Sequence, residues 1–210
     1  MRPAEAGWTK TELKLLDTLD EPIKVQRYLD DIGYDAKDDT RSPRYVMKER
    51  EAHCFEGALF AAACLSRMGH PPLILDLEAV NDDDHVIAVF KEEGRWGAVA
   101  KSNFTTLRFR EPVYRSLREL AMSYFDLYFN TILEKTLREY SLPLNLDRYA
   151  SEHWMTTDRD LEFIGDDLAK VRHLPLISKG MAGRLQKVGP YLLEAGLLGS
   201  NKDGLYRPEG

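Results

Sequence analysis

The sequence predicts an α+β fold, a central helix packed on a small antiparallel sheet with further helices before and after it. Three observations carry that prediction. Residues 53–69 form an Ala- and Leu-rich helical pattern with Phe55, Leu59, Phe60 and Leu65 spread over nearly every face, and a helix that is apolar all round lies inside a domain. After the break His70-Pro71-Pro72 the apolar period changes to two, the period of strands. On either side of this core, helical spacing with charged faces returns.

Residues 11–19 carry Leu13, Leu15, Leu16 and Leu19 and are closed by Asp20-Glu21-Pro22. Pro22 then starts a second helix, because the first helical position needs no N–H bond; Ile23, Val25, Tyr28, Leu29 and Ile32 are its apolar positions and Gly33 its stop. Residues 35–43 have turn chemistry and no periodicity, which predicts an exposed loop leading to the 53–69 helix. Residues 73–80 place Leu73, Leu75, Leu77 and Ala79 on one face and Asp76 and Glu78 on the other. Asn81 and the run Asp82-Asp83-Asp84 make a tight acidic turn; consecutive carboxylates lack the spaced oxygen ligands of a calcium loop, so the turn reads as solvated. Strands over 85–90 and 96–102, joined by the turn Lys91-Glu92-Glu93-Gly94, complete a meander, and 105–109 adds a fourth strand. Helical spacing resumes over 116–140, bracketed by Pro112 and Pro143, with Tyr124, Phe125, Tyr128 and Phe129 in the core. Residues 158–171 and 183–196 read as helices, the second interrupted at Gly189-Pro190. The expected organisation is a core with its N-terminal helices over 1–140 and a helical extension over 141–210 packed on it.

With 210 residues the chain can bury one sizeable core. Its 35 acidic against 29 basic residues argue against a sequence-independent nucleic-acid partner, which would call for a basic excess. The sequence holds no run of about 18 apolar residues that could span a bilayer, so no membrane partner is expected. No charged-then-apolar leader precedes the first helix, and the chain reads as cytoplasmic. Its two cysteines, Cys54 and Cys64, stand roughly 15 Å apart along one helix, too far for a disulfide. Unpaired thiols fit a reducing compartment.

Cys54 falls in the first turn of the central helix, where unpaired N–H groups and the positive end of the helix dipole favour the nucleophilic thiolate. Cys64, inside Ala-Ala-Ala-Cys-Leu, is a small buried hydrophobe. A cysteine nucleophile needs a histidine to take its proton and return it to the leaving group. His53 is adjacent to Cys54 but points about 100° away on a helix, His70 is at the far helix end, and His153 and His173 lie in the extension. His85, opening the second strand, is the candidate. If Phe90 pairs with Trp96, His85 lies opposite residue 101, so the group orienting its ring comes from residues 100–103. There Ser102 and Asn103 are the neutral hydrogen-bonding side chains, Lys101 is cationic and Ala100 inert.

A cysteine heading an Ala-rich helix that ends in Arg-Met-Gly-His-Pro-Pro, then a strand, a histidine opening the next strand, and a third strand beginning Gly-Arg-Trp resembles the transglutaminase-like superfamily, relatives of the papain-type cysteine proteases. The similarity covers residues 45–110. It implies Cys54 as nucleophile and His85 as general acid/base in a thiol acyl-transfer enzyme, acting on a peptide, protein or small amide, with no cofactor. Members of the family usually carry an Asp four residues after the third-strand Trp, and here that residue is Ala100. Three outcomes stay open: Ser102 or Asn103 takes the orienting role, the site is a Cys-His dyad, or catalysis is lost and the fold serves as a binding or scaffold module.

Overall fold

The computed structural model describes residues 7–37 and 39–207; Asp38, within the loop expected over 35–43, lies outside the described residues. Four helices precede the sheet: α1 (Lys10–Thr18), α2 (Pro22–Asp31), α3 (Pro43–Glu49) and α4 (Cys54–Arg67). α1 starts on a capping box in which Thr9 accepts from the Glu12 N–H and Glu12 accepts from the Thr9 N–H. α2 and α3 each start at a proline. α4 is the helix of the apolar run, and from Phe55 to Leu65 every residue is buried.

The strands are β1 (Leu73–Ala79), β2 (His85–Glu92), β3 (Arg95–Val99), β4 (Arg110–Tyr114), β5 (Leu137–Ser141), β6 (Leu144–Asn145) and β7 (His173–Pro175). They form one antiparallel sheet in the order β4-β3-β2-β1-β5-β7, with β6 also on β1. The fold is α+β, and both faces of the sheet are covered. Ile74, Val86, Ala88 and Phe90 face α4, while Leu75, Leu77, Ile87 and Val89 face a second layer built on Leu120, Tyr124, Phe125 and Tyr128. The polar face expected for β1 is therefore internal at Asp76, whose carboxylate meets His173 at 3.1 Å.

Three departures from the sequence expectation have local causes. The helix expected over 116–140 forms only as α5 (Leu117–Met122). Asn130 ends it as a possibility: its side-chain oxygen accepts from the Ile132 and Glu134 N–H groups and its amide donates to Asn81 O, building a turn that competes with the helix. The chain then enters β5, because β1 needs a partner on its second edge and tertiary pairing outweighs helical spacing. The region beyond 140, expected to hold helices alone, adds β6 and β7 to the same sheet, along with α6 (Glu162–Ala169), α7 (Lys179–Ala182) and α8 (Pro190–Gly196). Residues 105–107, expected in a fourth strand, make a single 3-10 turn, and the strand starts at Arg110.

Phe90 pairs with Gly97, one place beyond the expected Trp96. The hairpin is tighter than expected: Glu93 and Gly94 alone turn the chain, both at positive φ (46° and 77°), as two-residue hairpins of the primed type require. Pairing ends at Ala88 with Val99, and there the Gln26 side chain takes both the N–H and the carbonyl of Ala100. Lys101 turns back under α2, its Nζ donating to Leu29 O and Ile32 O at 2.7 Å each. Gly57 lets α4 approach this segment closely, since a Cβ there would overlap the Lys101 side chain. No helix among the described residues is long and apolar enough to cross a membrane.

Candidate active site

Cys54 is the first residue of α4, and the start of that helix is fixed by its neighbours. His53 is the N-cap; its Nδ1 accepts from the Phe55 N–H at 3.3 Å, and the Glu56 carboxylate accepts from the His53 N–H at 3.2 Å. Glu56 also accepts from the Arg41 N–H at 2.8 Å, which ties the 39–42 loop to the helix start. Burial pushes the Glu56 carboxyl up to about 7 against these hydrogen bonds.

The half-buried Cys54 thiol lies against the opening of β2. Its Sγ is 3.8 Å from the carbonyl oxygen of Asp84, the residue before His85. Burial pushes the thiol up to about 11, more than the Val86 and Phe55 N–H groups lower it, and the Asp83 and Asp76 carboxylates push the same way. The thiolate preference expected from the helix start is thus outweighed by desolvation.

His85 is buried, with the rings of Tyr124 and Tyr128 edge-on at 6.4 Å. Its Nε2 is 2.8 Å from the carbonyl oxygen of Leu107. A carbonyl only accepts, so Nε2 carries the ring proton and Nδ1 is the unprotonated ring nitrogen. Burial pushes the imidazole down to about 4, with the Arg110 charge adding to the effect and the Leu107 bond opposing it. At pH 7 thiol and imidazole are both neutral.

Cys54, His85, Ser102 and Asn103 line one cavity of about 50 Å³. Ser102 Oγ accepts from the Phe104 N–H, and the Asn103 side chain is spent on segment 198–206. The ring nitrogen Nε2 is held by Leu107, which the 3-10 turn carries back to His85 after the chain leaves β3. A main-chain acceptor has no side-chain signature, so no residue type pointed to it.

Segment 198–206 lies across the cleft as a strap. Asn103 Nδ2 donates to Asn201 O and Gly204 O at 2.8 and 2.9 Å and its Oδ1 accepts from the Asn201 N–H at 2.7 Å; Thr105 and Thr131 hold Leu198 O and Tyr206 O. Beside it a second cavity of about 390 Å³ shares Tyr34, Cys54, Asp83, Gly204 and Tyr206 with the first. The acidic turn is built into the fold: Asp82 accepts from Thr136 Oγ1 and the Asp83 N–H, and Asp84 from the Ala79 N–H. Among the described residues no group of three or more His, Cys, Asp or Glu side chains is arranged to hold a metal ion.

No family model matches the chain, and no curated protein matches it in sequence. Among solved structures it is similar to Legionella pneumophila LapG, at 18% identity and a TM-score of 0.35, over 42% of this chain and 59% of that one. An EGTA-treated form of LapG gives 17% identity and a TM-score of 0.33 over 42% and 57%. The chain thus spans less than two thirds of the length of the LapG structures it matches.

Proposed function

We propose that this protein is a thiol-dependent acyl-transfer enzyme of the transglutaminase-like type, hydrolysing an amide or peptide bond in a peptide, protein or small amide through a Cys54 thioester. The observation that carries the proposal is the pairing, around one cavity, of a helix-start thiol with a histidine whose Nε2 is fixed on Leu107 O and whose Nδ1 is the basic nitrogen. Cys54 Sγ attacks the carbonyl carbon as its proton passes to His85 Nδ1. The tetrahedral adduct then expels the amine, which leaves with that proton. Water, deprotonated by Nδ1, cleaves the thioester and releases the acid. An imidazole with a low pKa is a weak base but a strong acid, suited to protonating a poor leaving group. The Leu107 carbonyl serves as the orienting group, with Ser102 and Asn103 shaping the adjoining wall. The two unpaired cysteines agree with a cytoplasmic enzyme.

The second reading, a catalytically silent scaffold, is favoured by the neutral resting pair and by Ala100 in place of an acid. 4-Nitrophenyl acetate separates the two. An enzyme is acetylated on Cys54 with release of 4-nitrophenolate, not at all in Cys54→Ala and at least about 100-fold more slowly in His85→Ala. Equal nitrophenolate release from all three proteins leaves the scaffold.

A further inference from the structure

Resting on the acyl-transfer reading, the geometry points to Tyr34 as the side chain that completes the oxyanion hole, its hydroxyl donating to the substrate oxygen beside the N–H of Cys54. A tetrahedral adduct on Cys54 needs donors aimed at its developing O⁻. The first is supplied by the helix start: the capping box occupies the N–H groups of Phe55 and Glu56, and among the described residues no acceptor meets that of Cys54. One donor alone leaves the hole incomplete.

Tyr34 is held next to it by main-chain pairing. The Gly33 N–H donates to Arg50 O at 2.9 Å, the Ala52 N–H to Gly33 O at 3.2 Å and the Asp35 N–H to Ala52 O at 3.2 Å, a short parallel bridge two residues ahead of Cys54. Tyr34, between the two paired residues, is therefore registered on the segment that delivers the nucleophile. The strap fixes its ring from the other side: Asn201 Nδ2 donates to Tyr34 O at 3.1 Å, and Gly204 packs so closely that a Cβ there would lie 2.7 Å from Tyr34 Cε1.

The half-buried Tyr34 lines both cavities that meet at Cys54, and among the described residues its hydroxyl finds no hydrogen-bond partner. Tyr124 and Tyr128, the tyrosines packed around His85, by contrast donate to Arg108 O at 2.9 Å and Asp83 O at 2.7 Å. Burial, and after it the proximity of Cys54, raises the Tyr34 phenol well above its ordinary value, so it keeps its proton wherever the site works. A tyrosine beside a nucleophile, protonated and with nothing to donate to, is matched to an oxygen that arrives with the substrate and gains charge during attack.

The test is Tyr34→Phe in the full chain, which keeps the ring against Gly204 and removes only the hydroxyl. With 4-nitrophenyl acetate the rate of Cys54 acetylation is expected to fall about 100-fold. Alkylation of Cys54 by iodoacetamide, which builds no oxyanion, should stay within about twofold of wild type. Unchanged acetylation overturns the assignment and leaves the acyl-transfer reading in place. A matching loss in both reactions overturns it in favour of a role in positioning the thiol. Nitrophenolate release that persists in Cys54→Ala removes the acyl-transfer reading, and the oxyanion role falls with it.

Discussion

Alkylation of Cys54 by iodoacetamide is expected to be slow at neutral pH and to keep climbing where an ordinary thiol has levelled off. Burial moves the thiol from 9.0 to about 11, so the thiolate fraction at pH 7 drops by about 100-fold, to roughly 1 in 10,000. Part of that loss is returned, because thiolate nucleophilicity rises with pKa on a slope of about 0.4–0.5, which over this shift is about eightfold. The net rate at pH 7 is then about one tenth that of a free model thiol. It should rise close to tenfold per pH unit up to pH 10, with no plateau. Mass spectrometry of the alkylated peptide locates the adduct, and Cys64, buried and shifted further upward, is an internal control that stays unmodified while the protein is folded. An inflection below about pH 8.5, followed by a plateau, would mean a thiolate–imidazolium pair at rest and refute the argument that desolvation outweighs the helix start.

Asn103→Ala removes the three hydrogen bonds that hold Asn201 and Gly204. At about 1 kcal/mol each, hydrogen exchange over 198–206 should accelerate by roughly 150-fold, and Cys54 alkylation at pH 8 should rise as the strap lifts; unchanged exchange would show that the strap is held by other contacts. Glu56 makes stability depend on pH. Its carboxyl goes from 4.5 to about 7 on folding, so the folded protein holds that proton more tightly. The stability it contributes is fully present below about pH 4.5 and lost as pH rises through about 7. The thermal midpoint of wild type should therefore fall between pH 5 and 8 more steeply than that of Glu56→Gln, and equal slopes would locate the dependence elsewhere.

The central helix and the first three strands are features the sequence made legible, because each rests on local periodicity and on a hairpin with recognisable turn residues; Cys54 and His85, singled out there, line one cavity. What escaped was set by distant pairing. Leu133 and Leu137 continue the helical spacing, yet Leu137 opens β5 because β1 has an open edge. The expected register was one residue off because the turn is Glu93-Gly94 alone, both at positive φ, which pairs Glu92 with Arg95 and so Phe90 with Gly97. Asn103 could be placed near His85 by counting along the strands, but not its engagement with Asn201, 98 positions away. Tyr34 gave no signal beyond following a helix-stopping glycine, since its place depends on the bridge between Gly33 and Glu51.

Gly57 has a consequence for aim. A helix resting on a sheet through apolar side chains can roll about its long axis at little cost, and a roll of a few degrees swings whatever projects from its first turn. Cys54 and Gly57 are three residues apart, about 300° of winding, so they share a side to within about 60°. Where Gly57 meets the Lys101 side chain there is no room for even a methyl group, and Lys101 is itself anchored to the end of α2. The bearing of the sulfur is thus indexed one turn downstream, by a side chain that is missing, and the same contact keeps the helix from turning its thiol away from the opening of β2.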